Sequence, residues 1–144
     1  MTPVEAYQAV FQDSVAAAAI LPFTDEFALK VLLAFGAYNT QQLVTAAMLG
    51  SLLGAGINWV LGRVLFSLLT RDPTVMQGKA EQHMRIVARY INTVGALVIV
   101  VCGWITYVGP AMTVLAGMFR MKWWVLLLAY AITKAVYYTL YLFY

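Results

Sequence analysis

The chain has 144 residues, of which 63% are hydrophobic and only 10% charged, and its formal net charge is +3. A soluble domain would carry roughly 25% charged residues, and the mean hydropathy is +0.81, so composition excludes an ordinary soluble fold. It indicates an all-α integral membrane protein with a single membrane domain, residues 1–144.

The start, Met1-Thr-Pro-Val-Glu5, carries an acid where a cleavable signal peptide carries bases. The apolar stretch after it is therefore read as mature protein. Residues 3–21 read as a helix with a polar beginning and an alanine-rich end. Pro22 breaks the pattern, and Asp25 and Glu26 follow inside an apolar stretch. A carboxylate at membrane depth costs at least ~2.5 kcal/mol and is tolerated mainly where it faces a cavity or a partner. Residues 27–37 are apolar again but shorter than the ~20 residues a crossing needs. The segment 10–37 is thus expected to be a re-entrant helical hairpin with its tip at 22–26. A kinked pair of helices crossing once is the alternative. Residues 38–42 read as a polar return to the interface.

The clearest spanning helix is 43–69. Gly50, Gly54, Asn58 and Gly62 recur every four residues and form one stripe on it. Gly50-x-x-x-Gly54 is the spacing that lets another helix approach closely, and Asn58 on the same stripe can hydrogen-bond across such a contact. Helix packing is the simpler reading of the stripe; lining a substrate path is the other. Residues 70–90 form the one extended polar segment, a linker in which Met84, Val87, Ala88 and Ile91 have the spacing of an interfacial amphipathic helix. His83 reads as a solvated residue there. Residues 91–119 carry no charge for 29 positions, more than one crossing requires. With Gly109 and Pro110 as its break, this stretch is expected to be a second re-entrant hairpin with arms 91–107 and 110–119. Trp123 and Trp124 suit an interfacial aromatic belt, and 123–144 is the second spanning helix.

Two interrupted apolar segments, one in each half, point to a transport-type site between them. Lys134 falls about 17 Å into the last helix at 1.5 Å per residue, near the bilayer midplane, with Tyr130, Tyr138 and Tyr141 on its face. The expected site joins Lys134 to Asp25 or Glu26, either as a structural ion pair or as a gated substrate and proton site. Lys30 stands one turn after Glu26 and suits an i,i+4 pair. Asp13 either faces the same cavity or sits at the interface. If 91–119 re-enters, Arg63, Arg71, Lys79, Arg85, Arg89, Arg120 and Lys122 share one side. The positive-inside rule then places the linker 70–90 in the cytoplasm.

Nothing in the sequence supports an enzyme. No Ser/His/Asp set, Cys/His pair or phosphate-loop pattern is present, and the acids have no histidines near them for a metal. The single cysteine, Cys102, excludes an intrachain disulfide. No basic patch alternates with exposed aromatics, so nucleic acid is not an expected partner. No cofactor is expected.

Four motifs in order resemble the DedA family, also described as the VTT or SNARE-associated domain family, and in particular its short YqaA-like branch. They are Leu21-Pro-Phe-Thr-Asp-Glu26; Leu49-Gly-Ser-Leu-Leu-Gly54 with Asn58 and Leu61-Gly-Arg63; Leu115-Ala-Gly-Met118 followed by Arg120-Met121; and Thr133-Lys134-Ala135. The resemblance implies two inverted repeats, each a re-entrant hairpin plus a transmembrane helix. It also implies translocation of an anionic lipid, undecaprenyl phosphate or a phospholipid, in a bacterial inner membrane. Glu26 would be the family's essential acid and Arg63 its helix-end arginine. Longer members carry an Arg-x-x-Pro-x-x-Arg pattern in the second hairpin. Here residues 103–110 contain no arginine, so a head-group contact would fall to Lys134, Lys30 or Arg63. The expected function is lipid translocation, with proton coupling at the carboxylates. A proton-coupled carrier of a small solute or ion, or a non-transporting membrane scaffold, are the alternatives. A two-fold homodimer is the commonest way for so small a chain to surround a site.

Overall fold

The structure, a computed structural model, describes residues 2–19, 27–69, 82, 83, 85, 86, 90–103 and 108–144. Six helices follow one another among them: α1 (Pro3–Ala18), α2 (Phe27–Phe35), α3 (Thr40–Leu69), α4 (Ile91–Cys102), α5 (Val108–Met118) and α6 (Trp123–Phe143). The described residues contain no strand. Two helices, α3 and α6, are long and apolar enough to cross a membrane.

Local chemistry sets most of the helix ends. Thr2 opens α1 with a capping box: the Thr2 N–H donates to Glu5 Oε2 (2.8 Å) and the Glu5 N–H to Thr2 Oγ1 (3.4 Å), with Pro3 in the first turn. The helix stops at Ala18, three residues earlier than the pattern suggests, and Ala19 is extended. Gly36, at φ +62°, ends α2 at Phe35, two residues before the expected limit. The polar residues 40–42 were expected in a loop. They are the first turn of α3, because the Asn39 side chain accepts from the Gln41 N–H (3.0 Å) and its carbonyl from the Leu43 N–H (3.1 Å). Gly109 and Pro110 do not interrupt a helix. They lie in the first turn of α5, where proline's missing N–H is not needed. The expected first tip at 22–26, residues 106 and 107 of the expected second tip at 106–110, and most of the linker 70–90 lie outside the described residues.

The helix α3 is the axis of the assembly. Its buried residues, Leu43, Ala47, Gly50, Ser51, Gly54, Ala55, Asn58 and Gly62, form one continuous face. The near end of that face meets α1: a methyl at Gly54 would stand 2.6 Å from Ala18 Cβ and 2.8 Å from the Val15 carbonyl oxygen. The far end meets α5, where Gly62 lies against the Val114 carbonyl and Gly117 lies against the backbone of Trp59. In the second half, α4 packs on α6, with Gly103 against Thr133 and the Thr133 hydroxyl reaching the Ile99 carbonyl (3.3 Å). Two apolar cores result. Ala18, Ala55, Ile99, Ala116, Met121 and Leu126 anchor one; Val10, Leu29, Leu43, Ala47 and Tyr138 anchor the other.

The opposite face of α3 is apolar and exposed: Leu49, Leu53, Ile57, Val60 and Val64 are each about half exposed. So are Leu128 and Ile132 of α6. A contiguous apolar surface of this kind needs an apolar surrounding, which the hydrocarbon of a bilayer supplies.

Burying these glycines by backbone contact predicts an asymmetry among the α3 glycines. Gly62→Ala should lower stability by about 1–3 kcal/mol through overpacking. Gly56→Ala, which meets nothing within 4 Å, should be neutral or stabilising by up to about 1 kcal/mol from helix propensity. Thermal unfolding of the two variants in detergent checks this.

Candidate functional site

The site is built around two polar positions on the buried face of α3, Ser51 and Asn58, and around Lys134 on α6. Asn58 is fully buried. Its Nδ2 donates to the Ala18 carbonyl (2.7 Å) and to Thr113 Oγ1 (2.9 Å), and lies 3.4 Å from the Pro110 carbonyl. Ala18 is the last residue of α1, so its carbonyl is one of the groups a helix end leaves without an intrahelical partner. Pro110 and Thr113 belong to the first turns of α5, and Thr113 Oγ1 itself donates to the Pro110 carbonyl (2.7 Å). One amide therefore ties together the two helix ends that border the undescribed residues 20–26 and 104–107. Asn58 Oδ1 is buried with no hydrogen-bond partner among the described residues, as is Ser14 Oγ.

Lys134 is half-buried in α6. Its Nζ lies 5.9, 5.4 and 5.6 Å from the ring centres of Tyr130, Tyr137 and Tyr138, close enough for cation–π attraction. Tyr137 packs edge-on against Tyr138 and stacks with Tyr141. The Tyr138 hydroxyl lies 3.3 Å from Ser51 Oγ, a buried polar link from α6 to α3. The same tyrosine shares a core with Val10 of α1 and Leu29 of α2. Two of the rings around Lys134, Tyr137 and Tyr138, thus belong to the core that also takes in residues of both arms of the first helix pair.

The acids and remaining bases divide between this cluster and other places. Asp13 accepts from the Ala28 N–H through Oδ2 (2.9 Å), so its carboxylate caps the start of α2 across 15 residues of chain. It fastens the two arms to each other. Lys30 is half-buried on α2, next to Leu29 of the shared core. Arg63 is exposed, with its guanidinium 4.9 Å from the Trp59 ring centre. It stands 12 residues beyond Ser51, about 18 Å along the helix axis, and belongs to the far end of α3. Asp25, Glu26 and Pro22 lie outside the described residues.

Several partners of these residues carried no sequence signal of their own. Thr113 and Tyr137 are single residues in apolar helices. Trp59 read as one more aromatic, yet its Nε1 donates to the Met121 carbonyl (2.7 Å) and locks α3 to the α5–α6 turn. That turn holds Arg120 at φ +58°, with the Met121 N–H donating to the Ala116 carbonyl (2.9 Å) and the Arg120 N–H to the Gly117 carbonyl (3.2 Å). This is a Schellman closure with arginine where glycine is usual. Two apolar cavities, of about 820 and 370 Å³, lie between α3 and α6 and between α4 and α5, and among the described residues no charged side chain lines either. Among the described residues no cluster of three or more His, Cys, Asp or Glu could hold a metal ion.

The family model described as the VTT domain matches residues 24–144, the span that contains α2 to α6. No curated protein and no solved structure matches the chain significantly.

Loss of the Asn58 amide should leave buried carbonyls without a donor. Asn58→Ala is expected to cost about 1–3 kcal/mol. Thr139→Ala, which removes a hydroxyl bonded only within its own exposed helix turn, should change stability by less than about 0.5 kcal/mol. Asp13→Leu should cost about 0.5–2 kcal/mol as a lost cap, with Asp13→Asn recovering most of it. Unfolding midpoints in detergent give all three comparisons.

Proposed function

We propose that this chain, which belongs to the VTT-domain (DedA-type) family of membrane proteins, moves an anionic lipid across its bilayer. The head group would pass between the two helix pairs while the acyl tails stay in hydrocarbon. The observation that carries the reading is Lys134: a cation deep in a spanning helix, held among three tyrosine rings, of which Tyr137 and Tyr138 belong to the core shared with both arms of the first pair. Ionisable groups at such depth are rare and mark substrate or ion pathways.

In this reading the α1–α2 and α4–α5 pairs are the two re-entrant hairpins, related as inverted repeats around α3 and α6. The packing of α1 on α3 and of α4 on α6, each through a small-residue contact, supports that pairing. Asn58 holds the ends of both hairpins from one side chain, so a movement of one reaches the other. Asp25 and Glu26 supply the proton-binding group that alternates with the lipid head group at Lys134. The cationic linker 70–90 faces the cytoplasm of a bacterial inner membrane, and phospholipid and undecaprenyl phosphate are both substrates of the right chemistry.

The test is translocation of a fluorescent anionic lipid in proteoliposomes. Lys134→Ala and Glu26→Gln should each slow transport by roughly tenfold or more, equivalent to about 1.4 kcal/mol of lost transition-state stabilisation, and Lys134→Arg should retain part of the rate. Undiminished transport by folded Lys134→Ala and Glu26→Gln would remove both groups from the mechanism. A folded wild type that moves no lipid would overturn the reading.

A further inference from the structure

The back of α3, away from the hairpins, forms with the start of α6 an apolar groove of about 820 Å³ that includes Leu49, Leu53, Gly56, Val60, Trp123 and Leu127 in its walls. The volume is in the range of small-molecule sites, roughly 300–1,000 Å³. Along α3 it runs from Leu49 to Val64, about 22 Å at 1.5 Å per residue, which exceeds half of a ~30 Å hydrocarbon core. Gly56 gives the groove its depth. Every other glycine of α3 is explained by a helix pressed against it, whereas a side chain at 56 would meet nothing within 4 Å. Glycine inside a helix is unfavourable relative to alanine, so its position in this wall is consistent with space kept for an occupant.

One end of the groove is basic. Arg63 stacks on Trp59, itself a wall residue; Arg120 lies over Phe66, 5.5 Å from its ring centre; and Lys122 precedes the wall residue Trp123. The bond from Trp59 Nε1 to the Met121 carbonyl holds these three bases at the same end of α3. A guanidinium stacked on an indole still presents its N–H edge to an oxyanion. The described carboxylates, Glu5 and Asp13, are both on α1. We propose that this groove is a binding site for an anionic phospholipid, held as a resident partner of the protein, with one acyl chain along the Gly56 wall and its phosphate at Arg63, Arg120 and Lys122. A second copy of the chain fits less well. Two copies inserted in the same orientation would bring their basic ends together at the same depth.

The site lies on the opposite face of α3 from Asn58, and its test reads binding rather than translocation, so it stands or falls separately from the transport reading. The purified protein in detergent is titrated with phosphatidylglycerol and with phosphatidylcholine, and bound lipid is counted by native mass spectrometry. Wild type should prefer phosphatidylglycerol by roughly tenfold or more. Gly56→Leu should lose that binding by a similar factor at an unchanged melting temperature. Arg63→Gln with Lys122→Gln should erase the preference for the anionic lipid. Val60→Trp, at an exposed wall position, fills the groove by a second route if Gly56→Leu fails to fold. Equal binding of the two lipids by wild type, or undiminished phosphatidylglycerol binding in a folded groove-filling variant, would overturn the proposal. So would conversion of a wild-type dimer to a monomer by Gly56→Leu, which would assign the groove to a second copy.

Discussion

The close approach of three backbones along one face of α3 is the constraint on which the rest of this protein depends. In a bilayer, apolar side chains gain little by leaving lipid for one another, so helices associate through fine van der Waals fit and hydrogen bonds. The α3 helix supplies both. Gly50 and Gly54 admit α1, Gly62 and its partner Gly117 admit α5, and Asn58 between them bonds to each. The amide matters because Ala18, the last residue of α1, is buried, and its carbonyl has no intrahelical partner. Asn58 takes over such a bond at the end of α1 and bonds to the first turns of α5 from the same amide.

The second half is joined to the first by smaller devices of the same kind. Trp59 reaches over the α5–α6 turn and bonds to the Met121 carbonyl, while Met121 itself is fully buried under it. Arg120 accepts a left-handed conformation in that turn and turns its guanidinium toward Phe66 of α3. The Lys122 N–H finds the Asn92 side chain (3.1 Å) in the π-helical first turn of α4. Each contact fixes a helix end rather than a helix middle. The middles, α3 and α6 above all, are left to apolar packing and to a few buried polar links, Ser51 with Tyr138, Asn58 with Thr113 and Thr133 with the Ile99 carbonyl.

Much of this architecture could be read from residue spacing. Glycines at i, i+4 necessarily share a helix face, and uninterrupted apolar runs of 20 residues or more have few alternatives to a spanning helix. Lys134 was visible because a charge is conspicuous in a run such as 123–144. What spacing did not carry was the identity of the neighbours. That Asn58 meets Ala18 and Thr113, 40 and 55 residues away, follows from the topology and not from any local pattern. Pro110 was read as a break because proline lacks an N–H, but the first turn of a helix does not use that group, and there proline begins α5 instead of ending it. Asp13 looked like an isolated membrane acid. Its partner is a backbone N–H, a group every residue offers and no sequence motif advertises. The acids at 25 and 26 were conspicuous for the same reason as Lys134.

The cap that Asp13 places on α2 also bears on the order in which the chain can assemble. A helix of nine residues is too short to persist by itself, and α2 takes its first hydrogen bond from a residue on a different helix. Its buried side chain, Leu29, belongs to a core shared with residues of α1, α3 and α6. The cap and the packing of segment 27–35 are therefore complete only once α1 stands on the glycine face of α3. The first arm is made early and the second is completed late, although only eight residues separate them in the chain.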